Sequence, residues 1–304
     1  MKISIIIVNY YTAGYLDSCI DSINNFEKEV DKEIIIVDNN SGDSDTEILN
    51  RLSDTHKNLK CLFLDSNKGF AYANNRGVEI CNGDFILILN PDIVFTESIL
   101  LKLTEYRENE NIGALGVRLY GEDGEFQKKY YQKYPSILQY LLFYSIFSKP
   151  FINSGRLIKK HLETEIQGKG LINVPQIPGA FILMKKDLYN ELNGFDESYF
   201  LFFEDVDLSY RIAKKYKLYI SDCKVKHIGA SSMMMDTNYK IYGYFILSLI
   251  IFFKNNYSKS KYFYLKYLVL FNAILKIILE NAKKIYGGSH PNVIKVHKYI
   301  LKNL

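Results

Sequence analysis

The chain has 304 residues, 48% of them hydrophobic and 24% charged, with a formal net charge of +4. That is too apolar for a disordered chain and long enough for one large α/β domain with an appendage. Four cysteines, Cys19, Cys61, Cys81 and Cys223, with no CxxC pair, exclude a disulfide scaffold and point to a reducing compartment.

Charge is unevenly distributed. From Asp236 to Leu304 there are 11 lysines, no arginine and two acids, a formal charge of +9, whereas the preceding 235 residues hold 27 basic and 32 acidic side chains, −5. A basic segment of this kind is expected to meet an anionic surface, either nucleic acid or a membrane leaflet. The absence of arginine from the segment speaks against nucleic acid, because bidentate arginines are the usual readers of bases. No secretory leader is legible, since the apolar run after Met1-Lys2 ends at Val8.

In chain order, Ile3 to Val8 is a β-branched run suited to a strand buried on both faces. Leu16, Cys19, Ile20, Ile23 and Phe26 recur at helical spacing. A second strand, Ile34 to Val37, ends in Asp38-Asn39-Asn40-Ser41-Gly42-Asp43. A helix near Thr46 to Leu52, a strand from Lys60 to Leu64, a helix from Phe70 to Cys81 and a strand from Phe85 to Leu89 follow. This alternation predicts a doubly wound, mostly parallel sheet. Ligands of such sheets bind beyond the carboxyl ends of the strands. Those ends carry Asn9-Tyr10, Asp38, Asn67 and Asn90-Pro91-Asp92, which together describe a lined site.

Tyr120 to Pro175 is poorly patterned; an acceptor-side flap is expected there, with a mobile loop at Gly168 and Gly170. Pro178-Gly179-Ala180 then feeds a short buried strand, Phe181 to Met184. A short helix, a turn at Gly194 and an aromatic segment, Tyr199 to Phe203, deliver Glu204, Asp205 and Asp207 to a helix running to about Tyr216. Acids in a first helical turn serve as caps. Set against an apolar wall, they also acquire the raised pKa of a general base. Beyond a strand at Cys223 to His227 and a small-residue turn, Gly229-Ala230-Ser231-Ser232, lie two ten-residue apolar runs, Tyr244 to Phe253 and Tyr262 to Phe271. Each falls short of the roughly 20 residues that cross a bilayer. With their tyrosines and lysines they suit helices lying in a membrane interface. A helical subdomain packed on the core, or a homodimer interface, is the competing account.

Asp92, held at the end of a fully apolar strand, is placed to bind a hard divalent cation together with phosphate oxygens. His227, at another strand end, is the candidate second ligand for Mg²⁺ or Mn²⁺. Asp38 is placed to bond a base or ribose, and Asn67-Lys68-Gly69-Phe70, continuing to Asn74 and Asn75, either lines the nucleotide pocket or is an ordinary helix entry. Neither G-x-G-x-x-G nor a P-loop follows strand one, where the chain reads NYYTAGY. That argues against a dinucleotide enzyme and against a sugar-phosphate nucleotidyltransferase. A non-catalytic membrane-binding protein would explain the basic tail but not Asp92, Asp205 and His227 at element ends.

The segments IIIVNYYTAGYLDSCIDSI, IIIVDNNSGD, NKGFAYANNRG, ILNPD, PGAFILMKKD, GFDESYFLFFEDVDLSYR and KHIGAS occur in that order. In this the chain resembles glycosyltransferase family 2, inverting nucleotide-sugar enzymes of GT-A fold, and within it the bacterial rhamnosyltransferase-like branch. The resemblance covers residues 1–235 and leaves 236–304 as a C-terminal, membrane-associating helical region. It implies that Asp38 contacts a pyrimidine base, that Asp92 is the metal-binding acid of a DxD-type motif completed by His227, and that Asp205 is the catalytic base. Asn9, Asn67, Asn75 and Asn90 are expected on the nucleotide side, and Glu204 and Gly179 on the acceptor side. The first acid of the usual DxD is Asn90 here, a variation that also occurs in the rhamnosyltransferase-like branch. No Q-x-x-R-W motif of processive synthases is present, which implies transfer of a single sugar. The expected donor is dTDP-L-rhamnose, with a UDP-sugar as the alternative. The expected acceptor is a lipid-linked sugar or polysaccharide at the cytoplasmic face of the membrane, where the protein would sit peripherally.

Overall fold

The computed structural model describes residues 1–229, 240–284, 288 and 290–304. Two units are present: Met1–Tyr131, Thr164–Phe200 and Glu204–Ser232 form one, and Gln132–Glu163, Leu201–Phe203 and Met233–Leu304 the other.

The first unit opens with β1 (Lys2–Asn9), α1 (Ala13–Phe26), β2 (Asp31–Asp38), α2 (Asp43–Thr55), β3 (Leu59–Phe63), α3 (Phe70–Glu79) and β4 (Phe85–Leu89), close to the expected bounds. β1 pairs in parallel with β2 and β4, and β2 with β3. Ile5, Ile6 and Ile7 of β1 and Ile86, Leu87 and Ile88 of β4 are all fully buried. Both faces of these strands are covered, which is why the runs are continuous rather than alternating. Next come β5 (Ile93–Phe95), α4 (Leu100–Thr104), β6 (Ile112–Tyr120), then α5 (Ile137–Gln139) and α6 (Gly155–His161) of the second unit. The first unit resumes with β7 (Ile172–Val174), β8 (Phe181–Lys185), α7 (Lys186–Glu191), α8 (Glu204–Ile212) and β9 (Lys217–His227).

Among the described residues one sheet runs β3-β2-β1-β4-β8-β6-β9-β5, with β7 also on β9. The sheet is parallel through β4 and mixed beyond it, because β8 lies antiparallel to both β4 and β6. The loop at Gly168 and Gly170 is anchored: Gly168 O accepts from the Arg118 guanidinium and Gly170 N–H donates to Asp222. α8 stops at Ile212, short of the expected Tyr216, in a turn closed by Tyr216 N–H on Ile212 O.

The second unit is helical. Ser136 and Gln139 close a capping box at α5. After it come α9 (Lys240–Asn256), α10 (Lys259–Lys284) and α11 (Pro291–Asn303). Phe252, Phe253, Leu265, Val269 and Ile300 form its interior, and the Phe203 ring rests against Phe245 and Phe252. The second apolar run is longer than its ten residues suggested. It lies within α10, a 26-residue helix that is long and apolar enough to cross a membrane by length and composition. The apolar run stops at Phe271, but the helix does not: it continues through Asn272 and Glu280, both buried.

Candidate active site

Parallel pairing sets the carboxyl ends of β1, β2 and β4 side by side, with Asn9 opposite Asp38 and Ile7 opposite Leu89. Asn9 is fully buried, and its amide nitrogen donates to Asp38 Oδ1 (2.8 Å), Ser41 Oγ (3.1 Å) and Asp45 Oδ2 (2.9 Å). Its amide oxygen accepts from Thr12 N–H and Oγ1. Asn9 is thus the organiser of this corner. Asp38 also accepts from Ser41 Oγ (2.5 Å) and Ser41 N–H (3.1 Å). These bonds leave Asp38 little capacity for a ligand, about one lone-pair site of the four on a carboxylate.

Asp92 and His227 meet because β5 pairs antiparallel with β9, Ile93 opposite His227. His227 Nε2 lies 3.5 Å from Asp92 Oδ1, and both side chains are buried. Gly229 N–H donates to Asp92 Oδ2 (3.0 Å). The rest of the expected small-residue turn, Ala230-Ser231-Ser232, lies outside the described residues.

Gln127, which the sequence did not single out, fixes the imidazole. Its Nε2 donates to His227 O (2.9 Å), so its Oε1 is the acceptor that meets His227 Nδ1 at 2.7 Å. The Nδ1 proton is thereby committed, and a neutral ring presents the bare Nε2 lone pair to Asp92. Burial holds the imidazole below the usual histidine range, outweighing the pull of Asp92. The Tyr130 ring stands edge-on to the imidazole, centroids 5.0 Å apart. Two lone-pair donors facing one another suit a cation between them, and one nitrogen with one carboxylate oxygen is a donor set that Mn²⁺ or Mg²⁺ accepts. Among the described residues no third histidine, cysteine or carboxylate joins them, so the remaining positions of an ion held there would fall to water and substrate oxygens.

The acidic cluster separates into two roles. Asp207 is structural: Arg211 Nε bonds its Oδ2 at 2.7 Å while the other guanidinium nitrogens cap Leu192 O and Gly194 O, both at 2.8 Å. Asp205 is half-buried, its Oδ2 accepting from Gly179 N–H and its Oδ1 from Val206 N–H, both at 2.8 Å. Glu204 is buried, and among the described residues its Oε2 has no hydrogen-bond partner. Burial raises both carboxyls; Glu204, further repelled by Asp205, is pushed up to about 8. Near neutral pH Glu204 therefore holds a proton, while the two backbone N–H bonds to Asp205 favour its charged form against burial. Just before them Phe202 and Phe203 both have left-handed backbone, φ 68° and 69°. Bulky side chains rarely adopt it, and such strain gathers at functional sites.

Gly179 leaves room for Asp205, because a Cβ there would lie 3.3 Å from the carboxylate Oδ2. Asn90 N–H donates to Ala180 O (3.0 Å), which ties the Asn90-Pro91-Asp92 turn to the segment that supports Asp205. Asn67 bonds Asn39 Nδ2 through its Oδ1 (2.8 Å), joining the ends of β2 and β3. Asn75 lies elsewhere. Its amide donates to Phe195 O and Glu197 and accepts from Tyr189 OH and Phe195 N–H, so its capacity is spent on the Gly194 turn. Gly69, with φ +99°, is required where the start of α3 abuts Phe200, since a Cβ would lie 2.3 Å from Phe200 O.

A hydrogen-bonded polar corner, a buried Asp–His pair and a carboxyl pair at a helix start all gather at the carboxyl ends of a mixed α/β sheet, where ligands of such folds bind. The chain matches the model of glycosyl transferase family 2 over residues 4–192, and it belongs to that family. It is 24% identical over 217 residues to the rhamnosyltransferase WbbL of Escherichia coli K12, covering 69% of this chain and 76% of that one. It is 23% identical over 250 residues to the N-acetylglucosaminyl-diphospho-decaprenol L-rhamnosyltransferase of Mycobacterium tuberculosis, covering 76% and 78%. Among solved structures it resembles the mannosyltransferase of Pyrobaculum calidifontis in complex with GDP-Man and Mn²⁺, with TM-score 0.55, 16% identity and 99% and 86% coverage. The fold is GT-A, followed by C-terminal helices.

Proposed function

We propose that this chain is an inverting, metal-dependent glycosyltransferase that moves one sugar, L-rhamnose from dTDP-L-rhamnose, to a lipid-linked or polysaccharide acceptor in bacterial surface-glycan synthesis. Residues 1–235 carry the chemistry, and 236–304 hold the protein peripherally at the inner face of the cell membrane. The observation that carries this reading is the Asp92–His227 pair, facing at 3.5 Å with the imidazole tautomer set by Gln127. The two relatives support the sugar, and the mycobacterial one, by its name, supports a lipid-diphosphate acceptor.

Asp205 acts on the acceptor. Gly179 and Val206 N–H groups hold its two oxygens in place, each retaining a lone pair. The acceptor hydroxyl gives its proton to Asp205 as its oxygen attacks the anomeric carbon; the bond to the diphosphate breaks on the opposite face and configuration inverts. Neutral Glu204 beside it adds no charge and leaves Asp205 as the base. Asp92 and His227 would hold a divalent ion, whose positive charge, when bound, stabilises the leaving nucleoside diphosphate. Asn9 keeps Asp38 oriented, so that its remaining acceptor capacity faces a pyrimidine N–H.

A donor screen tests the reading. With Mn²⁺ present, thermal stabilisation should be largest with dTDP and dTDP-L-rhamnose and should vanish with chelator. Preference for UDP- or GDP-sugars would reassign the donor, and stabilisation by none would refute the class of substrate.

A further inference from the structure

α10 is amphipathic the wrong way round for a helix in water. Its buried positions include Asn272 and Glu280. Between Phe263 and Leu279 every exposed side chain is aromatic or aliphatic, with Tyr267 63% exposed and Phe271 and Ile278 each 55% exposed. Phe263, Tyr267, Phe271, Ile274 and Ile278 follow one another at steps of four or three, so they form one stripe, about 24 Å long at 1.5 Å per residue. Lys259 and Lys261 precede the stripe, and Lys283 and Lys284 follow it. An apolar patch of this length, left open to water, marks a docking surface.

We propose that this face of α10 docks on an anionic phospholipid leaflet, with the helix lying along the surface rather than crossing it. Charge selects the partner. The segment from Asp236 carries +9, which an anionic leaflet attracts and a second copy of the chain repels. The buried side of the helix selects the orientation. Asn272 Oδ1 accepts from Ile146 N–H (2.7 Å), and Glu280 accepts from Lys283 (2.5 Å) and His290 N–H (2.9 Å). Crossing would break the Asn272–Ile146 bond and carry Lys266, Lys276 and Glu280 into hydrocarbon, where ionisable groups are costly. Lying flat keeps every one of them and immerses only the apolar stripe, with the flanking lysines at the headgroups. The inference rests on the membrane placement proposed above, and its readout is depth and binding rather than sugar transfer.

The chain contains no tryptophan, so Phe263→Trp, Phe271→Trp and Ile278→Trp each make a single reporter in the full-length protein. With vesicles of phosphatidylglycerol and phosphatidylcholine carrying brominated acyl chains, all three should blue-shift and report the same shallow depth, and binding should fall as salt rises. Phe271→Ser with Ile278→Ser should weaken binding by at least about tenfold, with the circular dichroism spectrum unchanged. Depths that step from one leaflet to the other would overturn the flat orientation. Unchanged binding by the double serine variant would show that the face is wrong. No binding of the intact protein to any vesicle would refute the membrane placement itself, and a blue shift that follows protein concentration without lipid would assign the stripe to a second copy.

Discussion

Gln127 grips His227 twice, donating to its carbonyl at 2.9 Å and accepting from its Nδ1–H at 2.7 Å. The main chain and the ring are thereby fixed together, which leaves Nε2 aimed at Asp92. Groups that orient a metal-bound histidine in this way typically account for 10- to 100-fold of metal affinity. Gln127→Leu should weaken Mn²⁺ binding in the presence of dTDP by about that factor, measured calorimetrically. His227→Ala should abolish it. If His227→Ala binds Mn²⁺ normally, the metal site is elsewhere; if only Gln127→Leu does, the bracket is purely structural.

Glu204 makes stability depend on pH with a definite sign. Its folded pKa of about 8 lies above the ordinary 4.5, so between those values the folded chain holds a proton that the unfolded chain has released. Stability from this group is present at low pH and is lost as pH rises toward 8, with a slope of at most about 1.4 kcal/mol per pH unit. Denaturation with urea between pH 5 and 8 should show this decline in the wild type and a flatter profile in Glu204→Gln. An identical slope in both would mean that Glu204 is ionised in the fold.

Arg211 supports the approach to α8. Removing its guanidinium leaves Asp207, which is 2% exposed, without the cation at its Oδ2, and uncaps Leu192 O and Gly194 O. Arg211→Leu should cost about 3–5 kcal/mol by equilibrium unfolding. A cost near 1 kcal/mol, the size of a surface pair, would show that water replaces the guanidinium.

Legibility of the sequence followed packing. β1, β2 and β4 were readable because their apolar runs, Ile5 to Val8, Ile34 to Val37 and Phe85 to Leu89, are buried on both faces. β6 was not, because Gly113 and Gly116 dilute its pattern, and they are small for a reason no linear pattern shows. A Cβ at Gly113 would lie 2.2 Å from Ile212 Cγ2, and one at Gly116 2.6 Å from Ile220 Cδ1. At the site, Asp92 and His227 could be named from their strand ends, yet Gln127, in a segment without periodicity, carried no signal at all. Asn75 shows the converse: it stands in the NKGFAYANNRG segment on which the resemblance rests, but tertiary contacts spend its amide on the Gly194 turn. The two left-handed phenylalanines before Glu204 are a backbone property that side-chain pattern does not encode.

Asp205 is the proposed base. Asp205→Asn keeps the size of the side chain and its acceptance from Gly179 or Val206, so it removes only the capacity to take a proton. Under single turnover with saturating dTDP-sugar, Mn²⁺ and acceptor, transfer should fall by about 10²–10⁴, while donor and metal affinity stay at wild-type values, and Glu204→Gln should cost less. Wild-type transfer by Asp205→Asn, or a larger loss from Glu204→Gln, would contradict the account.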